Sequence, residues 1–160
     1  MSSFNSDPSR TDTASCPFGK EVVGVGFDIV NSTSKGEVHV TSIVPSSNQV
    51  TVTAYEDDTG TPSQWGIKAY AVCATEPFGL EIVSSPSPAT GGFDATTCSG
   101  GKTAIGGSGS VDAARHDVDV MGVKIGTYQG FQFATASSSD DVDGTTLSWD
   151  TAATVICASP

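Results

Sequence analysis

A chain of 160 residues has room for one compact domain or two small lobes, and this one sets 18 Asp and Glu against 7 Lys and Arg, a net charge of −11. No basic patch could neutralise a run of phosphates, which excludes nucleic-acid binding and argues against anionic membrane surfaces. Hydrophobic residues make up only 37%, and Ser, Thr, Gly and Val dominate over Leu and the strong helix formers, so short strands joined by polar turns are predicted, with almost no helix.

Residues 1–9 are polar and Ser-rich and read as an N-terminal arm. They carry neither the basic nor the apolar region of a secretory signal. Nothing in the chain approaches the roughly 18 apolar residues of a spanning helix, so no membrane insertion is expected. The first predicted strand, residues 11–15, delivers Cys16 into the turn Cys16-Pro17-Phe18-Gly19, where Pro17 fixes φ and Gly19 can take positive φ. Residues 22–30 form the second strand. Gly24 and Gly26 share one of its faces, a packing device that lets another backbone or an aromatic ring come close. Asn31 to Lys35 is a polar turn, in which Asn31-Ser32-Thr33 matches a glycosylation acceptor. Residues 38–44 and 50–55 are the next strands, the latter alternating apolar and Thr-rich faces. An acidic loop, Glu56-Asp57-Asp58-Thr59-Gly60-Thr61-Pro62, precedes the closing strand over 64–73.

The same phrases then return in degraded form. Cys16-Pro17-Phe18-Gly19-Lys20 is matched by Cys98-Ser99-Gly100-Gly101-Lys102, and Trp65 stands before Cys73 at the spacing that separates Trp149 from Cys157. Residues 118–123 match the strand over 38–44, and Phe131-Gln132-Phe133 matches Val50-Thr51-Val52. Residues 137–146 repeat the polar, acidic loop. The chain is accordingly divided into an arm (1–9), a first β repeat (10–78), a linker or opening strand (79–92) and a second β repeat (93–160). With about five antiparallel strands per repeat, the expected fold is all-β, a pseudo-two-fold sandwich or a β-prism-like domain.

Four cysteines without a CxxC pair do not suit a zinc site, and disulfides are the simpler account. All three connectivities are compatible with a duplication. Cys16 with Cys73 and Cys98 with Cys157 is preferred, because an ancestral single repeat had to be bridged within itself. A unit of about 80 residues is near the size at which a core needs such a staple. The setting is then oxidising, outside the cytosol.

No catalytic residue is assigned. His39 and His116 are the two histidines, and His39 corresponds to Asp119 in the repeat alignment, so the two are not equivalent. Arg115-His116-Asp117-Val118-Asp119 comes nearest to a catalytic cluster but reads as an exposed loop end. Gly106-Gly107-Ser108-Gly109-Ser110 lacks the last Gly of a nucleophile elbow and stands between strands, and Gly101-Lys102-Thr103 lacks the upstream Gly and the helix of a phosphate loop. The acidic loops are the best candidate sites: Glu56, Asp57 and Asp58 in one half, Asp140, Asp141 and Asp143 in the other. Asp140, Asp141 and Asp143 are candidate hard-oxygen ligands for calcium, although neither loop has the full ligand series and no cofactor is otherwise expected. Trp65 and Trp149 stand close behind these loops. Exposed, they would suit a sugar; buried, each is a core anchor.

The phrases at 16–26 and 66–74 resemble a Cys-Pro-x-Gly-Lys to Tyr-Ala-x-Cys-Ala tandem repeat found in secreted actinobacterial proteins and in tail-associated proteins of their phages. The resemblance covers residues 10–158, and Pro17 and Gly26 give way to Ser99 and Ser108 in the second copy. It implies disulfide-bonded β structure at an extracellular, cell or virion surface, and no assigned reaction. A non-enzymatic structural, decoration or attachment protein is the leading expectation, its partner a protein or a surface polysaccharide. The alternatives are a lectin-like carbohydrate-binding module, with or without calcium, and an acidic inhibitor of a basic enzyme. Oligomeric state is left open.

Overall fold

The computed structural model describes residues 1–2, 7–30, 37–86, 88–112, 117–141, 144, 146 and 148–160. The glycosylation match at 31–33, His116 and Asp143 lie outside the described residues. Among the described residues there are twelve strands and no helix, hence no helix that could cross a membrane. The strands are β1 (Ser9–Ser15), β2 (Glu21–Val30), β3 (Val38–Pro45), β4 (Gln49–Glu56), β5 (Gly66–Ala74) and β6 (Glu81–Ser84). They continue as β7 (Ala89–Thr90), β8 (Phe93–Thr97), β9 (Thr103–Val111), β10 (Val118–Tyr128), β11 (Phe131–Asp140) and β12 (Asp150–Ala158).

These strands pair antiparallel in three open sheets. One runs β1-β4-β3-β9-β12-β6, with β7 also on β12; the second is β10-β11-β8 and the third β2-β5. The partner scheme of the first half, β1–β4–β3 and β2–β5, recurs in the second as β8–β11–β10 and β9–β12. Even the irregularities recur. The β2–β5 ladder skips Val23 where β9–β12 skips Ile105, and β3–β4 skips Thr41 where β10–β11 skips Met121. A bulge re-aims the residues around it, so matching bulges leave matching positions pointing the same way.

The main core gathers Val22, Val38, Val50, Val52, Trp65, Ile67 and Ile156, all at most 2% exposed. Period-two alternation puts them there: in β4 every second residue from Val50 to Glu56 is buried. Carboxylates stitch one sheet to the next. Asp12 on β1 accepts from the backbone N–H of Ala69 on β5, and Asp94 on β8 accepts from that of Ala153 on β12, each at 2.8 Å. The disulfides are Cys16–Cys73 and Cys98–Cys157, with Cα atoms 5.7 and 5.8 Å apart. Each bridge ties the segment after β1 or β8 to the end of β5 or β12, and loops of this length stabilise by about 4 kcal/mol through chain entropy. Two disulfides in so small a protein fit an oxidising, extracellular environment.

Three expectations need correcting. Residues 106–110 lie inside β9 rather than between strands, because their glycines allow close packing: a Cβ on Gly109 would stand 2.6 Å from the Cβ of Ala136, and one on Gly107 3.0 Å from that of Ala134. Residues 137–140 extend β11 and are not loop, since Ser138 turns inward and is buried. Finally, Val50-Thr51-Val52 corresponds to Ala134-Thr135-Ala136, not to Phe131-Gln132-Phe133. The former face Ala14-Thr13-Asp12 on β1, and the alanines face Thr96-Ala95-Asp94 on β8. Hydrophobicity favoured the phenylalanines, but the nearby β9 glycines leave the inward positions room only for alanine. Residues 79–92 do contain strand, since β6 and β7 both pair with β12.

Candidate functional site

At the end of the molecule away from the disulfides, Asp57 and Asp141, which follow β4 and β11, come together over the starts of β3 and β10. Each loop is tied to the strand beneath it in the same way. The Asp57 N–H donates to the Glu37 carbonyl (3.1 Å), and the Asp141 N–H to that of Asp117 (2.9 Å). The Asp57 Oδ1 accepts from the Gly60 N–H at 2.7 Å, and the Asp141 Oδ1 from the Gly144 N–H at 3.0 Å. These glycines have φ of 68° and 70°, the left-handed conformation that lets the chain turn its N–H back onto the carboxylate.

His39 lies beneath these loops, 4% exposed. Its Nδ1 stands 2.8 Å from Asp119 Oδ2, while Asp119 Oδ1 accepts the Val40 N–H at 2.9 Å, so the carboxylate orients the ring and is itself held by backbone. The ring's other nitrogen, Nε2, is buried without a hydrogen-bond partner, 3.7 Å from Asp141 Oδ2. One donor atom each from His39, Asp57 and Asp141 lie within 4.8 Å of one another. Burial disfavours the imidazolium, but the hydrogen bond and charge of Asp119, with Asp141 and Asp57 behind it, outweigh burial and hold His39 above its ordinary pKa. Burial, then the charges of Asp58 and Asp141, push the Asp117 carboxyl up, although the Asp58 N–H donates to it. Negative charge is therefore concentrated here around a single imidazole of the described residues.

His39 and Asp119 are the positions the repeat alignment makes equivalent, each flanked by buried valines: Val38 and Val40, Val118 and Val120. Two aspartates facing each other there would repel, whereas histidine on one side makes the contact attractive. The sequence held this signal in the aligned Val-His-Val and Val-Asp-Val phrases, but nothing local shows that the two strands meet. Asp57 and Asp141, candidates from different loops, are brought together. Asp58 is exposed and turned toward Asp117, and Asp140 is exposed and outside the cluster. Trp65 is fully buried, its Nε1 donating to Glu56 Oε1 at 2.6 Å and its ring under the Arg10 guanidinium at 5.0 Å. Trp149 is half-buried against Val111, Val118 and Val120 and donates to Ser138 Oγ at 2.9 Å. Both tryptophans therefore serve as anchors, and Trp65 in particular offers no face to a ligand. Lys102 is engaged by Glu81 at 2.7 Å rather than placed to receive a phosphate.

A second feature lies on the outer face of the β10-β11-β8 sheet. Tyr128 and Phe131 are 68 and 61% exposed, while Phe93, 59% exposed, stands apart at the other end of the face beside Ser137. Tyr128 and Phe131 are cross-strand partners, and the Phe133 ring lies over Gly126, where a Cβ would stand 3.0 Å from its edge. Thr97 and Thr135 flank the rings, and Gln129 Nε2 donates to the Tyr128 hydroxyl at 3.4 Å. The corresponding face of the first half carries a threonine ladder instead, Thr11 with Thr53 and Thr13 with Thr51. Comparison with protein families, curated proteins and solved structures finds no match to this chain.

Proposed function

We propose that the chain is a tandem duplication whose halves form a pseudo-two-fold β domain, and that it is a non-enzymatic attachment or decoration protein of an extracellular, cell or virion surface. The observation that carries this reading is the aromatic face of Tyr128, Phe131 and Phe133 on a doubly disulfide-stapled body. Rings exposed side by side on a rigid sheet mark a contact surface. The matching ladders and bulges support the duplication, and the resemblance to secreted and tail-associated repeats points the same way. The non-enzymatic reading is supported by His39, whose Nε2 is buried and makes no hydrogen bond to a hydroxyl or thiol it could activate.

A second reading, carbohydrate binding, is favoured by the rim of that face. Thr97 and Thr135 offer hydroxyl groups beside flat rings, the pairing that suits a sugar with its apolar C–H face and its hydroxyl edge. The partner is then a surface polysaccharide, met through Tyr128 and Phe131 rather than through the tryptophans. Retention of the purified protein on whole cells, cell-wall polysaccharide and a glycan panel tests both readings. Tyr128→Ala with Phe131→Ala is expected to lower retention at least tenfold. Retention unchanged by the pair removes the face from consideration, and retention on cells but on no glycan makes the partner a protein. A hydrolytic activity abolished by His39→Gln or His116→Gln would overturn the non-enzymatic reading.

A further inference from the structure

We propose that His39, Asp57 and Asp141 form a site for a divalent transition cation of the zinc class, with Asp119 as the positioning partner of the imidazole. The inference is independent of the attachment reading. It starts from the buried Nε2 of the ring, which makes no hydrogen bond. Nε2 of His39 is inaccessible, unpaired by hydrogen bonding, and turned toward the two loop carboxylates. At 3.7 Å the nearest of them is outside hydrogen-bond reach. A buried polar atom left so costs about 1–3 kcal/mol unless something else fills the gap.

The surroundings suit a metal. Imidazoles that bind metals commonly donate their other N–H to a carboxylate, which fixes the tautomer and aims the lone pair. Asp119 stands in that place at 2.8 Å and is itself locked by the Val40 N–H. Donor atoms of a tetrahedral zinc shell sit about 3.4 Å apart, so donors already within 4.8 Å need only small side-chain adjustments to close on an ion. Asp58, Asp117 and Asp119 add negative charge around the set, which two positive charges would relieve. The donor set also selects the ion. One imidazole nitrogen with two carboxylates suits zinc and its neighbours, whereas calcium takes six to eight oxygens. The bonds formed are Nε2 and two carboxylate oxygens to the cation. A proton carried by Nε2 in the absence of metal leaves to solvent.

The test is calorimetric titration of the intact, oxidised chain, freed of metal by chelator, with zinc chloride and separately with calcium chloride, alongside thermal unfolding. One zinc per chain is expected, with a raised unfolding midpoint. Asp57→Asn and Asp141→Asn, changes at partly exposed positions that leave the fold intact, should each weaken binding at least tenfold. Asp119→Asn should weaken it about 10–100-fold and remove the imidazole signature from the X-ray absorption spectrum of the bound ion. No zinc binding, zinc binding that survives both Asp57→Asn and Asp141→Asn, or calcium bound in preference to zinc would each overturn the proposal. The first outcome would leave His39 as a cation that only neutralises its carboxylates.

Discussion

Asp94 is 8% exposed, and its carboxylate accepts a single backbone N–H, that of Ala153 on another sheet. Asp94→Ala would leave that donor buried without a partner, so a loss of about 1–3 kcal/mol is expected in urea unfolding. Glu81 is a milder case with a pH signature. The hydrogen bond from Lys102 holds its carboxyl below the ordinary glutamate value, burial opposing and the Ser99 N–H and hydroxyl adding to the effect. A folded-state pKa below the unfolded one contributes stability above the ordinary glutamate range, and that stability is lost as pH falls through the lowered value. Comparing the wild type with Glu81→Gln should therefore show a gap at neutral pH that closes in acid. The group is partly exposed, so the gap should be below about 1 kcal/mol.

At the scale of elements, β9 shows what decides a strand when its composition argues against one. Glycine in a strand is worth about 0.5–1 kcal/mol less than alanine, so Gly109→Ala would stabilise a strand in open space. Here the added methyl would stand 2.6 Å from Ala136 Cβ, which is fixed to its own backbone and cannot swing aside. Overpacking of about 1–3 kcal/mol wins, and a net loss of about 1–2 kcal/mol is expected. Adding Ala136→Gly should recover most of it, a coupling measurable by a double-mutant cycle. The strands of the first repeat were readable from the sequence: β1, β2, β3, β4 and β5 fall within a few residues of the predicted spans. β9 and the end of β11 were not, because Gly, Ser and Ala fill positions whose character is set by close neighbours on other strands. The same blindness mispaired Phe131-Gln132-Phe133 with Val50-Thr51-Val52, and so hid the aromatic face.

For the whole molecule, the cysteine pairing followed from the repeated phrases, and the acidic loops were recognised one at a time. Their convergence on His39 was not readable, because it depends on residues about 80 positions apart meeting where β3 packs against β10. The disulfide arrangement carries a last consequence. The loops closed by Cys16–Cys73 and Cys98–Cys157 do not overlap along the chain, so neither encloses residues 74–97. A single proteolytic nick between 85 and 88 would thus yield two fragments with no covalent link, even under oxidising conditions. They would still interlock, since β6 leaves with the first fragment while its ladder, Glu81 to Ser84, runs along β12 of the second. Such a nicked protein should run as one particle in native size exclusion and as two pieces in denaturing, non-reducing electrophoresis. Separately prepared oxidised fragments should reassemble by inserting β6 as the edge strand of the other piece, a ready-made split-protein pair.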